Sequence, residues 1–512
     1  MKKRIISSLL AAALFAALYA PMSASAAFFQ DTANHWASNI IDIWSDYGVI
    51  QGTDDQFFPD EYIRRADLAQ IISRVMGYDE ESTKVFHDID DLTDEQKTAI
   101  LKLNKAGIML GSKGYMRPND YISREETAVM LGRMMRMEDS PTGIHYFGDA
   151  GEISDWAYSI VSIMGSRGYM SGRSNGKFDP KANITRAEVI KILDNMINGY
   201  YVKSGSYSVS TLGNVVINSS GVELRQVAIT GDLFITQAVG NGSVTLEDVT
   251  VEGRVYVLGG GSGIELVGNT RLKNVYHEKT GSSELSYLVQ PPSVIDKLYV
   301  HQGSAPVIYE GALKNMYVYD TNQSIEFSNA TVDYFVADAP GISLTTDVNT
   351  SINMAKLNFP FQMLGDGIIS NARIAASADG STFERQPKST VLPSGLTVFL
   401  EGETYENKTT RTQTLVAVED NISPTVKDAS LTATNLTSNG ATFSWDVAHD
   451  NMTDNKSLRY ALYYSTTPNL YTVQYIELNG TMLTPFYTGK QTAIVTGLKT
   501  GQVYYFNVIA KD

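Results

Sequence analysis

The stretch NITRAEVIKIL, residues 183–193, carries the signals of a helix start. Thr185 suits the N-cap position, and Glu188, three residues later, completes a capping box before an apolar-periodic run. Arg186 then falls at the first helical position, where unsatisfied N–H groups and the helix dipole disfavour a cation. The same arrangement recurs upstream in YIRRADLAQII, with Arg65, and in YISREETAVML, with Arg124. The sequence therefore contains a repeat marked by an arginine at each helix start.

The repeat is about 60 residues long, since these arginines are 59 and 62 residues apart. Every copy has the same order of motifs: Phe-x-Asp, a helix, a G-x-x-x-G pair, a proline turn and the arginine helix. The motifs are Phe29/Asp31, Phe86/Asp88 and Phe147/Asp149, followed by Gly48/Gly52, Gly107/Gly111 and Gly168/Gly172. Two helices and a loop cannot bury a core alone, so the three copies should pack against one another.

These units resemble S-layer homology (SLH) repeats, whose family signature is a T-R-A-E-like box after a G-x-x-x-G loop. The resemblance covers residues 27–84, 85–140 and 141–198 as repeats one to three. It implies an all-α, three-fold helical prism whose grooves bind a pyruvylated secondary cell wall polysaccharide attached to peptidoglycan. By the same resemblance, the glycan-binding residues would be Asp31, Trp36, Gly52, Arg65, Asp88, Gly111, Arg124, Asp149, Trp156, Gly172 and Arg186.

The resemblance also gives the arginines a physical reason. A pyruvate ketal carries a carboxylate, and a guanidinium beside helix N-terminal N–H groups offers it a paired, directional site. Structural readings stay open for other residues: Thr185 and Glu188 fit helix caps, and each tryptophan fits either a core position or a sugar-stacking platform.

The three repeats are not equivalent in sequence. Glu95 occupies the slot that Trp36 and Trp156 occupy in the other repeats, and Asp67 replaces the glutamate of the capping box. An acid near an anionic ligand would repel it, so we expect three unequal grooves. We also expect Arg186→Ala to weaken binding more than a change in the groove that depends on Glu95.

Composition and the N-terminus place the protein outside the cell. Residues 1–26 have a basic start, an apolar run and an A-x-A cleavage pattern, which predicts a secretory signal peptide. The net charge of −15 argues against nucleic acid and anionic membranes as partners. With no cysteine, stability must come from packing and repetition. A secreted protein of the bacterial cell wall or S-layer fits best.

Residues 207–357 change to strand-like alternation with a second, shorter repeat. Aromatic residues at the centres of aliphatic tripeptides recur every 18 to 23 residues, at Phe234, Tyr256, Tyr276, Tyr299, Tyr317 and Phe335. This spacing predicts a right-handed parallel β-helix-like solenoid with aliphatics inside and aromatics outside. The aromatic stripe could stack sugars from other glycans, but we favour a stabilising ladder that a loop or domain covers.

An enzyme is the alternative, because polysaccharide lyases and hydrolases also use β-helices, although fold does not confer function. The outward face offers only Asp232 and Asp333, which strand spacing places about 24 Å apart. They cannot act as a catalytic pair. His87, His145 and His277 are isolated in sequence and form no zinc or triad pattern. We therefore predict no catalytic residue, no bound metal and no cofactor.

The C-terminal part is β-rich. Residues 358–420 fit either final coils or a small sandwich. Residues 421–512 resemble a bacterial fibronectin type III module, with Trp445 as the core tryptophan and Tyr504 as the tyrosine corner. That module would lack its last strand, so we expect the sequence to be a fragment of a longer protein. Asp450 and Asp454 offer carboxylates for a Ca²⁺ site, but we favour a solvated polar loop because their spacing does not match a dedicated Ca²⁺ loop.

Together these patterns predict a multidomain chain, first all-α and then all-β. The expected function is a non-catalytic surface protein that SLH repeats anchor to the wall. The alternative is a wall-anchored β-helix lyase or hydrolase.

Overall fold

A computed structural model describes residues 28–137, 147–301, 303–417, 424–426, 431–450, 455–470 and 472–511. The predicted signal peptide, His145, Asp454 and Asp420, the last residue before the expected fibronectin type III module, lie outside these ranges. The chain forms two compact units, residues 1–416 and 417–512. In the part of the chain that the structure describes, no helix is long and apolar enough to cross a membrane.

Six helices form the N-terminal part of the first unit, two in each repeat. They are α1 (Ser38–Asp46), α2 (Arg65–Met76), α3 (Asp94–Lys105), α4 (Arg124–Met134), α5 (Asp155–Ser166) and α6 (Arg186–Met196), with short 3₁₀ turns at Gln30–Thr32 and Ala150–Glu152. The predicted capping box at Thr185 and Glu188 is confirmed, and α4 has the same box. Repeat one lacks it, since Arg64 makes no side-chain cap bond.

The three repeats close into a ring. The N–H of Arg65 donates to the carbonyl of Asp120 in repeat two, at 3.0 Å. In turn, the N–H of Arg124 donates to Ala182 of repeat three at 2.9 Å, and that of Arg186 donates to Glu61 of repeat one at 2.9 Å. Each arginine helix is thus held at its first residue by the next repeat, and the third repeat returns to the first. The predicted prism of helices is confirmed.

A β-solenoid follows, built from two long ladders of parallel strands. The first ladder contains Ile197–Tyr201, Asn214–Ile217, Leu233–Ile235, Thr250–Val257, Arg271–His277, Val294–Val300, Val307–Val318, Ser324–Ala337, Ser351–Leu357, Ile368–Ile374 and Ser389–Leu392. The second contains Gly205–Tyr207, Val222–Arg225, Ser243–Glu247, Gly263–Val267, Leu285–Val289, Ile342–Thr346, Phe361–Gly365, Ser381–Phe383 and Thr397–Leu400. The long strands Val307–Val318 and Ser324–Ala337 belong to both ladders, because their first halves pair in the second ladder and their second halves in the first. The short strand Ala228–Ile229 pairs with Thr250–Val257.

Both ladders run on past residue 358, so the segment 361–400 consists of further coils. Two antiparallel strands then cover the open end. Glu403–Glu406 pairs with the last strand of the second ladder, and Gln413–Val416 pairs with the last strand of the first. Inside the solenoid, aliphatic and aromatic side chains form one continuous buried core.

The outward aromatic row follows the predicted register for five rungs and then fails. Tyr256 pairs with Tyr276, Tyr276 with Tyr299, and Tyr299 with Tyr317. Phe335, however, pairs with Met316 and is fully buried, while Val336 takes the place beside Tyr317. The prediction that Phe335 faces outward is therefore wrong. A β-bulge at Asn329, where φ is 50°, shifts the register by one residue and reverses the faces of the residues after it.

The first rungs of this row are covered by the helices. Phe234 and Tyr256 are buried in the same hydrophobic cluster as the cores of the SLH-like repeats. Hydrogen bonds join the two parts: the Tyr200 hydroxyl donates to the carbonyl of Val75 at 3.1 Å, and the Asn218 amide donates to that of Arg74 at 3.3 Å. The helical prism thus packs on the outer face of the solenoid, and residues of both parts form one hydrophobic cluster that is separate from the solenoid interior.

The second unit is a small β-structure with two antiparallel sheets. One sheet pairs Leu431–Thr437, Gly440–Trp445 and Thr492–Val495; the other pairs Arg459–Ser465 with Thr481–Met482, Tyr487–Thr488 and Tyr505–Lys511, and one helix, α7, spans Val473–Asn479. The Tyr504 hydroxyl accepts a hydrogen bond from the N–H of Lys499 at 3.0 Å, as a tyrosine corner requires. The fibronectin type III assignment stays a prediction.

Candidate functional site

Three grooves lie between the helical repeats, and each is built by all three repeats. Every groove combines the glycine loop and arginine helix of one repeat with the helix-start arginine of the preceding one. Groove 1 (about 340 Å³) joins the Gly52 loop and α2 to Arg186. Groove 2 (about 420 Å³) joins the Gly111 loop and α4 to Arg65 and Trp156. Groove 3 (about 380 Å³) joins the Gly172 loop and α6 to Arg124 and Trp36.

The three arginines both line the grooves and tie the repeats together. Each guanidinium Nε donates to a backbone carbonyl of the next repeat: Arg65 to Met116 (3.0 Å), Arg124 to Phe178 (2.7 Å) and Arg186 to Phe57 (2.8 Å). Burial lowers the pKa of all three, yet arginine stays cationic at neutral pH. Their recurring register therefore has a structural cause. Further N–H groups also have protein partners, since Arg124 Nη2 donates to the carbonyl of Ser171 (2.9 Å) and Arg186 Nη2 to that of Gln51 (3.2 Å). A ligand in a groove can therefore reach only the N–H groups that these bonds leave unused.

The glutamates of two capping boxes pair with two of these three arginines. Glu188 lies 3.5 Å from the Arg124 Nη1 and 2.7 Å from the Arg173 Nη1, and Glu126 lies 3.2 Å from the Arg65 Nη1. Although burial alone would raise the pKa of Glu126, the Ser123 amide and the nearby arginines outweigh it and lower that pKa. One carboxylate thus caps a helix and neutralises a groove arginine at the same time.

The structure places Arg186 in the groove that Glu95 affects. Glu95 forms an ion pair with Arg74 of α2, and Arg74 lines groove 1 together with Arg186. We expected Arg186→Ala to weaken binding more than a change in the groove that depends on Glu95. That expectation loses its basis, because Arg186 crosses to repeat one and lies in that groove itself. Groove 1 has no tryptophan in its lining, and Glu61 and Asp67 give it two acids against three arginines.

The two tryptophans are exposed, which rules out core positions for them. Trp36 is 62% exposed in groove 3, and Trp156 is 56% exposed in groove 2. An indole in this setting can offer an apolar surface to a sugar ring. In addition, grooves 2 and 3 each carry three cationic side chains and a single acid. In groove 2 these are Arg65, Arg117, Arg133 and Glu126. In groove 3 they are Arg124, Arg173, Lys191 and Glu188.

The aspartates of the Phe-x-Asp motifs order the loops. Both carboxylate oxygens of each accept backbone N–H bonds, and the donors are Phe57 and Phe58 for Asp31, Met116 and Arg117 for Asp88, and Phe178 and Asp179 for Asp149. Burial would raise the pKa of Asp149, but the two amides it accepts from keep that pKa low. These bonds give the three aspartates a structural task, and their contact with the glycan stays a prediction.

The groove glycines are also explained by their own loops. A Cβ on Gly52 would lie 2.3 Å from the carbonyl oxygen of Gln56, and one on Gly111 would lie 2.8 Å from that of Tyr115. At Gly172 the corresponding distance, to the oxygen of Lys177, is 3.0 Å. The glycines line the grooves, but the tight turn of the loop is sufficient reason for them.

A further set of groove residues was missed from the sequence. Arg74, Arg133 and Asn195 each lie nine residues after a helix-start arginine. Their side chains donate to equivalent carbonyls, those of Val49 (3.2 Å), Ile108 (3.2 Å) and Tyr169 (3.1 Å). The constant spacing was visible in the sequence, yet the change from arginine to asparagine in repeat three hides it.

The aromatic row on the solenoid is a poor sugar platform, because its rings stack on one another. Neighbouring centroids from Phe234 to Tyr317 lie 4.9 to 5.3 Å apart with interplanar angles of 15° to 26°. The ring faces are therefore occupied by neighbouring rings. Among the described residues, no three His, Asp or Glu side chains come together as a metal site.

Comparisons with known proteins identify the helical repeats. The family model for the S-layer homology domain matches residues 28–69, 85–128 and 146–190. An amylopullulanase of Thermoanaerobacterium thermosulfurigenes is 34% identical over 35% of this chain and 10% of its own length. An exoglucanase, XynX of Acetivibrio thermocellus, is 31% identical over 33% of this chain and 16% of its own length.

An S-layer protein of Bacillus licheniformis is 28% identical over 49% of this chain and 28% of its own length. The chain thus spans less than a third of the length of these relatives. The family matches fall on the three units that form the helical ring. The chain is accordingly a cell-surface protein of the cell wall, in which three S-layer homology domains precede a β-solenoid.

Proposed function

We propose that the three SLH domains anchor the protein non-covalently by binding a pyruvylated secondary cell wall polysaccharide, and that the solenoid has a structural or adhesive role. The observation that carries this proposal is the pairing, in grooves 2 and 3, of an exposed tryptophan with three cations. A pyruvate carboxylate can pair with a guanidinium while the pyranose ring stacks on the indole. Both contacts lie within one groove.

Groove 1 is the weakest of the three sites. It offers no indole, and the Glu95 carboxylate competes with a ligand for Arg74. We therefore assign most of the affinity to grooves 2 and 3.

The alternative is a wall-anchored lyase or hydrolase, a class that the names of two relatives include. We prefer a non-catalytic role because outward-facing side chains of the solenoid bind one another. The rings of the first ladder stack, and Asp296 accepts from Arg271 and Lys314 at 2.9 Å each.

The test is cosedimentation with purified walls that carry the polymer. Because the arginines also hold the repeats together, the triple variant R65A/R124A/R186A should lose pelleting and also melt at a lower temperature. Trp36→Ala and Trp156→Ala remove exposed side chains, so each should weaken binding by about fivefold with an unchanged melting temperature. Arg186→Ala should cost less binding than Arg124→Ala.

Walls treated with mild acid to remove the ketal provide the ligand control. If both tryptophan variants pellet like the wild type, or if ketal removal changes nothing, the assignment of the grooves fails. A polysaccharide cleaved by the full chain at a rate that solenoid substitutions abolish would favour the enzyme.

A further inference from the structure

A separate cavity of about 400 Å³ lies where the helical prism meets the solenoid. Its helical wall comprises Lys102 and Lys105 of α3, Tyr78 after α2 and Arg136 after α4, while Gln237, Glu278 and His301 belong to the solenoid. It shares no lining residue with the three grooves. The volume falls in the range of about 300–1,000 Å³ that is typical of small-molecule sites.

The charges of this junction cavity do not cancel. Arg136 Nε pairs with Glu278 at 2.9 Å, and Lys105 pairs with Glu80 at 3.1 Å. Lys102 has no acidic partner within 4 Å among the described residues, which leaves one positive charge in the lining. A ligand with one negative charge would therefore complement the cavity.

Two buried polar atoms in the lining also lack partners. The hydroxyl of Tyr78, a residue that is only 5% exposed, faces the Arg136 guanidinium but donates to no acceptor in the described part of the chain, and Nε2 of His301 has no partner there either. Burial raises the pKa of Tyr78 to about 12 although the charge of Arg136 opposes the shift, so the phenol keeps its proton and can donate. An unsatisfied buried donor is unfavourable, and such groups in native proteins usually have a partner.

From this geometry we propose that the junction cavity binds an acidic monosaccharide through its carboxylate, with Lys102 and Tyr78 as donors and His301 beside the sugar hydroxyls. The polar lining suits hydroxyl groups, and a cell-surface protein meets such sugars in wall polymers and in the medium. The neighbouring depression along α3, which shares Tyr78, Lys102 and Gln237 with the cavity, gives a sugar a path from the surface. This site does not depend on the function proposed for the grooves.

The experiment is calorimetric titration of the full chain with glucuronic acid, glucose and inorganic phosphate. We expect glucuronic acid to bind and glucose to bind at least tenfold more weakly. Lys102→Gln should weaken glucuronic acid binding about tenfold, since it removes a charge-assisted contact. Lys97→Gln, on the same helix but outside the cavity lining, should leave the affinity unchanged.

Tyr78→Phe separates binding from folding. It removes only the hydroxyl, so the melting temperature should stay the same or rise while the glucuronic acid affinity falls about fivefold. Equal binding of glucose and glucuronic acid, or no effect of Lys102→Gln, would overturn the proposal. Tighter binding of phosphate with the same dependence on Lys102 would overturn its sugar specificity. Wall pelleting by Lys102→Gln should match the wild type, which keeps this result separate from that of the grooves.

Discussion

His277 shows how a residue type that suggests chemistry can be wholly structural. Its ring is fully buried inside the solenoid, 3.0 Å from the Tyr287 hydroxyl and 2.9 Å from the carbonyl of Ala305. Because a carbonyl only accepts, Nε2 carries the proton and Nδ1 accepts from the tyrosine. Burial lowers the pKa of His277 to about 4. The hydrogen bond to the Ala305 carbonyl raises this pKa, but by less than burial lowers it, so the ring is neutral at physiological pH.

This burial predicts an acid-sensitive solenoid. The unfolded chain binds a proton at His277 near pH 6.5 and the folded chain only near pH 4, so the stabilisation present above pH 6.5 is lost as the pH falls to 4. The loss amounts to about 3 kcal/mol. Urea unfolding at a series of pH values should show this slope. His277→Gln, which can keep both hydrogen bonds, should remove it.

His87→Gln changes an exposed ring and is the matched control. A slope that survives in His277→Gln would mean that other groups cause the acid sensitivity.

The arginine pattern that identified the repeats could be predicted from sequence, but its geometry could not. Helix caps are local signals, so the starts of α4 and α6 were each visible in four residues, while the start of α2 followed from the repeat register. Which groove an arginine enters depends on ring closure, a long-range property that no local pattern contains. Arg186 consequently lies opposite the loop of repeat one, about 130 residues earlier in the chain.

At the scale of the strand, period-two alternation correctly separated inner from outer residues up to Tyr317. It failed after one inserted residue, Asn329, because a bulge exchanges the two faces of all that follows. Nothing in the alternation itself marks such a residue before the fold is known.

The stacked ladder predicts a loss of stability, not of binding, when its rings are removed. Tyr256→Ser should lower the unfolding free energy by about 3–5 kcal/mol, since the ring is buried between prism and solenoid. Tyr299→Ser should cost less because that ring is only half-buried. Thermal unfolding measures both. A glycan array on which either variant loses a ligand at an unaltered melting temperature would contradict this assignment.

At the scale of the whole molecule, the junction between prism and solenoid was not predicted. The sequence indicated that something covers the aromatic row, but it did not indicate that the SLH helices themselves are the covering element. The end of α2 contacts solenoid residues that lie more than 100 residues later in the chain. Gly77, at the end of α2, marks how closely the two parts approach, since a Cβ there would lie 2.3 Å from the Cβ of Ala238.

Gly77→Ala should therefore destabilise the protein by more than the strain of a left-handed alanine, because the new Cβ would also clash with Ala238. Gly107 has a similar left-handed conformation, with φ of 73° against 58°, but a Cβ there would meet nothing within 4 Å. Gly107→Ala should cost about 1 kcal/mol and Gly77→Ala about 1–3 kcal/mol more. Hydrogen exchange should show faster opening of α2 only in Gly77→Ala. Equal losses in the two variants would mean that the junction adjusts freely.

The closure of the ring at Arg186 has a consequence for how the protein can change in length. Contacts that run head to tail and return to the start fix the copy number, because a fourth repeat would have no free partner and a missing one would leave two broken surfaces. The number of coils in the solenoid is not fixed in this way, since each coil touches only its neighbours. Inserting or deleting a coil beyond the junction would move the far end by about 4.8 Å without disturbing the anchor. The number of helical repeats is thus fixed at three, while the length of the solenoid can change by one coil at a time.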